Sequence, residues 1–146
     1  MTLNMRKLQP SAILPTRATD GSAGYDLCAC LDEALLLPAH AIRVVPTGIA
    51  IAPPNDCAAL VFGRSGLGLR HGIAPANAVG VVDADYRGEI MVGLINHSEV
   101  DYLIEPGERI AQLVLVSILT PPVSECLSLP ETARGADGLG STGRFL

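Results

Sequence analysis

At 146 residues, with 49% apolar and 17% charged positions, the chain is long enough to bury one core and too apolar for a disordered segment. A formal net charge of −5 argues against DNA or another long polyanion as a stable partner, and no apolar run approaches the roughly 20 residues of a membrane-crossing helix. Met1–Lys7 lacks the uninterrupted apolar stretch of a secretory signal, so a cytoplasmic domain without a membrane partner is expected.

Glycine and proline, 15 and 11 residues, punctuate the chain too often for long helices and favour short strands joined by turns. In chain order the apolar segments are Leu35–Leu37, Ala41–Val45, Gly48–Ala52, Cys57–Phe62, Glu89–Asn96, Val100–Ile104 and Arg109–Leu119. Segments of this spacing predict an all-β sandwich, jelly roll or small barrel. The nearly continuous apolar character of Glu89–Asn96 predicts a strand covered on both faces. One short helical turn is expected over Ser65–Arg70. The predicted domain spans 1–129, and from Pro130 a flexible Gly-rich arm runs to residue 146.

Nine of the ten basic residues are Arg, whose planar fork grips phosphate in a bidentate way. Several of them, Arg64, Arg134 and Arg144 included, sit in Gly-rich segments. In Gly63-Arg64-Ser65-Gly66-Leu67-Gly68, a strand gives way to a Gly-flanked turn that aims backbone N–H groups at an anion. It is not a nucleophile elbow, because Leu67 stands where G-x-S-x-G requires glycine. The tail Arg134-Gly135-Ala136-Asp137-Gly138-Leu139-Gly140-Ser141-Thr142-Gly143-Arg144 offers N–H groups, hydroxyls and charge to an anion, against the plainer reading of a disordered terminus.

Between these lies Asn77-Ala78-Val79-Gly80-Val81-Val82-Asp83-Ala84-Asp85-Tyr86-Arg87-Gly88-Glu89. In extended backbone Asp83 and Asp85 share a face, where a carboxylate can act as a general base for water or help to hold Mg²⁺. Tyr86 can stack on a sugar or base, and Asn77 can read an amide edge. An Asx-rich hairpin turn is the competing reading. Ala23-Gly24-Tyr25-Asp26-Leu27 places one acid at the start of a strand. Gly107-Glu108-Arg109-Ile110-Ala111-Gln112-Leu113 puts a polar amide on an apolar face, where it needs a backbone or ligand partner. Cys28 and Cys30 with Cys57 and Cys126 lack zinc-ligand spacing and read as buried filler.

The segments AGYDL, GRSGLG, GVVDADYRGEI, GERIAQLVL and RGADGLGSTG, in this order, resemble the five motifs of the trimeric deoxyuridine triphosphatases. The resemblance implies a jelly-roll β fold, a homotrimer with three sites shared between subunits, and Mg²⁺-assisted hydrolysis of dUTP to dUMP and pyrophosphate. That activity limits uracil incorporation into DNA and supplies dUMP for thymidylate synthesis. Carried over by position, Asp83 resembles the general base that orients water toward the α-phosphorus. Tyr86 resembles the residue beneath the deoxyribose, where a 2′-hydroxyl would collide. Asn77 and Gly80 match the uracil reader. Arg64, Ser65, Gly66 and Gln112 match phosphate contacts, and Asp26 matches the acid that holds Mg²⁺ through water.

In the arm, Arg134, Ser141, Thr142 and Gly143 match the γ-phosphate grip contributed by another subunit, and Gly140 counts with them among the substrate-binding residues. Leu139 stands where the family usually has an aromatic that stacks over uracil. It covers the base without stacking. Asp137 stands where glycine is more usual. Two other readings remain at this point: a dCTP deaminase, which shares the fold, and a catalytically silent β trimer.

Overall fold

The computed structural model describes residues 2–138; Leu139, Gly140, Ser141, Thr142 and Gly143 lie outside the described residues. The described chain forms β1 (Asn4–Lys7), β2 (Tyr25–Cys28), β3 (Leu35–Leu37), β4 (Ile42–Pro46), β5 (Ile49–Ala52), β6 (Cys57–Phe62), α1 (Ser65–His71), β7 (Ile73–Pro75), β8 (Gly80–Val82), β9 (Met91–Asn96), β10 (Tyr102–Ile104) and β11 (Arg109–Ser117). Every strand pairing is antiparallel. The larger sheets run β2-β11-β6-β8 and β4-β9-β7, and two-stranded pieces β1-β5 and β10-β3 complete the jelly-roll-like β fold.

The core lies between the sheets and is built from Leu27, Leu37, Val45, Ile49, Leu94, Ile110 and Leu113, each at most 1% exposed. Burying each such side chain contributes about 1.5–3 kcal/mol. Prolines and glycines mark where strands stop. Pro46 ends β4, and Gly107, at φ +77°, lets the chain turn from Glu105 into β11. Gly72, at φ +69°, closes α1 by donating its N–H to the Gly68 carbonyl.

Two expectations are corrected. Strand β9 begins at Met91 and alternates, with Val92, Leu94 and Asn96 buried while Met91 is 47% exposed. Its second face, with Met91 exposed and Gly93 and Ile95 half-buried, is therefore only partly covered within one chain. The other is the competing reading of Asn77–Glu89 as a hairpin: β7 pairs with β9 and β8 pairs with β6, so residues 76–79 carry the chain from one sheet to the other.

Beyond Ser117 the chain leaves the sheets. Residues 119–138 are all exposed, among them Leu119, Val123, Leu127 and Leu129. The 129/130 boundary expected from the sequence falls inside this exposed stretch. Among the described residues, no helix is long and apolar enough to cross a membrane.

Candidate active site

One chain gathers the predicted residues outside the arm into two separate clefts of about 510 Å³ each, and no described residue lines both. The first runs along β8 and is lined by Asn77, Gly80, Asp83, Tyr86 and Glu89, with aliphatic walls from Ile42, Val44 and Val92. The second forms where β2, β11 and the end of β6 meet, and is lined by Gly24, Asp26, Arg64, Ser65, Gly66, Arg70 and Gln112. Strand β6 connects them. Its Val61 pairs with Gly80 of the first cleft, and its Phe62 pairs with Gln112 of the second.

In the first cleft the chain leaves β8 at Val82 and turns at once. The Tyr86 N–H donates to the Asp83 carbonyl at 3.2 Å, so Asp83 and Asp85 lie in a turn rather than on one face of an extended strand. The Arg87 guanidinium donates to the Ala84 and Tyr86 carbonyls at 2.6 and 2.8 Å and holds the turn closed. Asp83 lines the cleft, but Asp85 does not. The Tyr86 ring is 46% exposed and its hydroxyl donates to the Glu89 carbonyl. The Asn77 side chain makes no hydrogen bond among the described residues, which leaves a complete amide edge for a ligand.

In the second cleft, Gln112 sits opposite Asp26 on one side and Phe62 on the other. Its amide finds a backbone partner, donating to the Gly63 carbonyl at 2.9 Å. Gly24 permits this packing, since a β-carbon there would meet the Gln112 Oε1 at 2.8 Å. Arg64 precedes α1 in extended conformation and gives it no side-chain cap. The first-turn N–H groups beside Ser65 and Gly66 therefore remain available to an acceptor.

Asp26 anchors the second cleft. One carboxylate oxygen accepts from Arg64 Nε and the other from Arg109, both at 3.0 Å, and the group is only 16% exposed. Sequence reading gave Arg109 no role. A register shift between Arg109 and Ala111 brings its side chain over Asp26, and pairing geometry of that kind leaves no signature in the chain beyond an Arg three residues before Gln112. Arg70, also unassigned, lines the same cleft.

Cys28, Cys30, Cys57 and Cys126 form no cluster. Among the described residues, no group of three or more His, Cys, Asp or Glu is placed to hold a metal ion. Burial, then the nearby Asp26 charge, pushes the Cys28 thiol up. Arg134 is exposed and donates to the Asp137 carbonyl at 3.2 Å.

Beyond the second cleft lies a wall shared by Arg64, Arg109 and Tyr102. The Tyr102 hydroxyl donates to Glu108 at 2.5 Å, and burial, followed by that carboxylate, pushes its phenol up to about 12. An unfolded tyrosine titrates near 10. The folded state thus favours the neutral phenol, and this stabilisation is complete below about pH 10 and lost as pH rises toward 12. Denaturant melts across that window will show a shallower alkaline loss of stability for Tyr102→Phe than for the parent. Parallel slopes would remove Tyr102 from that role.

The dUTPase family profile matches residues 10–143. The deoxyuridine 5′-triphosphate nucleotidohydrolase of Albidiferax ferrireducens is 51% identical over 132 residues, covering 90% of this chain and 89% of that protein. A variant of the Staphylococcus bacteriophage 80alpha dUTPase, solved with dUpNHpp, superposes with a TM-score of 0.90 at 28% identity, covering 97% of this chain and 98% of its own. The fold also matches a dUTPase from phage phi11 of S. aureus, described with a coordinated structural Mg(II) ion, at a TM-score of 0.82 and 24% identity, covering 90% of this chain and 100% of that one.

Proposed function

The chain belongs to the dUTPase family, and from that premise we propose that it hydrolyses dUTP to dUMP and pyrophosphate with Asp83 as general base. The observation that carries the assignment is the division of labour between the clefts. One joins an amide edge, an aromatic ring and a carboxylate, as a deoxynucleoside with its reacting phosphate requires. The other joins guanidinium groups and backbone donors, as a polyphosphate requires.

Asn77 and the Gly80 backbone read the uracil edge, and Tyr86 lies beneath the deoxyribose. Asp83 accepts a proton from a water whose oxygen bonds to the α-phosphorus, and the bond from that phosphorus to the bridging oxygen breaks, releasing pyrophosphate. Arg64, Ser65, Gly66 and Gln112 hold the phosphates that leave. No nucleophilic side chain is needed, because positioning and charge neutralisation supply most of the acceleration.

Because the two half-sites do not meet within one chain, a homotrimer in which one subunit's nucleoside cleft faces another's phosphate cleft completes each site. The partly uncovered face shared by β4 and β9, with Ile42, Val44 and Met91 exposed, supplies apolar surface for such an assembly. Residues 130–146 form the arm that closes over a neighbouring site. There Arg134, Ser141, Thr142 and Gly143 grip the γ-phosphate, Gly140 lies against the substrate, and Leu139 covers the base.

Asp26 is the one carboxylate lining the phosphate cleft among the described residues, too few ligands for a resident cation. That donor set fits Mg²⁺ carried on the triphosphate and touched by Asp26 through water. When bound there, Mg²⁺ would neutralise phosphate charge. The enzyme is then a cytoplasmic member of nucleotide metabolism that limits uracil in DNA and supplies dUMP for thymidylate synthesis.

A pyrophosphate-release assay across the four dNTPs, dUTP and UTP tests the assignment. Release from dUTP alone is expected. Ammonia and dUTP formed from dCTP would identify a deaminase instead, and no turnover with any nucleotide would leave a binding trimer.

A further inference from the structure

We propose that Glu89 is a positioning residue that fixes Tyr86 through the turn at Thr47–Gly48 and so helps the enzyme to reject ribonucleotides. The inference rests on the reading of Tyr86 as the floor beneath the deoxyribose. Thr47 and Gly48 join β4 to Ile49, the first residue of β5; far in sequence from the catalytic turn, these three hold residues 89 and 90 by three hydrogen bonds. The Gly48 N–H donates to Glu89 Oε1 at 2.7 Å, the Thr47 hydroxyl donates to the Ile90 carbonyl at 2.7 Å, and the Ile90 N–H donates to the Ile49 carbonyl at 2.8 Å.

Thr47 is fully buried, so its end of the clamp is fixed by the core. Gly48, at φ +66°, could not carry a side chain, because a β-carbon there would meet the Ala12 methyl at 2.6 Å and the Cys30 sulfur at 2.9 Å. Its N–H lies between two strands and belongs to neither ladder, and the Glu89 carboxylate takes it as a charge-assisted bond.

The same residue receives the sugar-facing ring. The Tyr86 hydroxyl donates to the Glu89 carbonyl at 3.0 Å, and Gly88 leaves room for the ring to fold back, since a β-carbon there would overlap the phenol. Glu89 also lines the cleft that holds Asp83 and Tyr86. Its carboxylate is thus tied to the core on one side, and its carbonyl sets the height of the ring on the other. A ring held at one height excludes a 2′-hydroxyl; a ring free to sink admits it.

Steady-state kinetics with dUTP and UTP, alongside thermal melts, test the proposal. In Glu89→Ala, KM for dUTP will rise about tenfold with kcat changed less than about threefold, and the dUTP-over-UTP ratio of kcat/KM will fall about tenfold. Glu89→Gln retains an oxygen that accepts from Gly48 and will keep both values within about twofold of the parent. Equal losses in the two variants, or an unchanged discrimination ratio in Glu89→Ala, overturn the proposal.

Should Glu89→Ala fail to fold, Tyr86→Phe decides, since it removes only the hydroxyl held by the Glu89 carbonyl; it will lower the discrimination ratio, and an unchanged ratio overturns the proposal. Tyr86→Ala separates the two claims. If it loses discrimination while Glu89→Ala keeps it, the clamp alone is wrong. If Tyr86→Ala keeps discrimination, the reading of the ring beneath the sugar falls too.

Discussion

Asp83→Asn will lower kcat for dUTP about 10³-fold while leaving affinity for a non-hydrolysable dUTP analogue nearly unchanged. Asparagine preserves the size and planarity of the side chain, so the turn closed by the Tyr86 N–H and the Arg87 guanidinium keeps its shape. What is lost is an acceptor for the proton of the attacking water, worth about 1.4 kcal/mol of barrier for each tenfold in rate. Asp83 is exposed and makes no contribution to the core, so the variant will melt with the parent. Pyrophosphate release and titration of the analogue separate the effects. A variant with parental kcat removes Asp83 from the reaction, and one that binds poorly makes it a ligand contact instead.

Deleting residues 134–146 will lower kcat/KM for dUTP by about 10² or more, because Arg134 and the Gly-rich donors that follow it leave together. The melting midpoint will stay within about 2 °C. The second expectation follows from burial: every residue from 119 to 138 is exposed, so the removed segment's described part covers no core surface. Loss of activity without loss of stability assigns the segment to the substrate. A truncated enzyme with full activity would reduce it to a tail.

Much of the fold was legible because local chemistry fixes it. Leu35–Leu37 and Cys57–Phe62 have the bounds their apolar runs predict, and α1 begins at Ser65 as expected and extends one residue past Arg70. The strands that escaped notice lack a local signal. Asn4–Lys7 is largely exposed and polar, Ile73–Pro75 ends in proline, and Gly80–Val82 lies within a motif that reads equally well as loop. Ladder partners far away in sequence make them strands.

The candidate site divides in the same way. Its residue types announce their chemistry, but their partition into two clefts depends on the crossover at 76–79, and a crossover is a property of sheet topology. Gln112 illustrates the limit: its need for a partner was readable, whereas the identity of that partner, the Gly63 carbonyl, required the pairing of β11 with β6.

The pairing of Asp26 with both Arg64 and Arg109 bears on how tightly an anion can be held beside them. An empty pocket of bare guanidinium groups would repel itself and would cling to whatever polyanion arrived, spent pyrophosphate included. Here Asp26 is a built-in counter-ion to both. Any anion that reaches Arg64 or Arg109 shares it with Asp26, which weakens its hold.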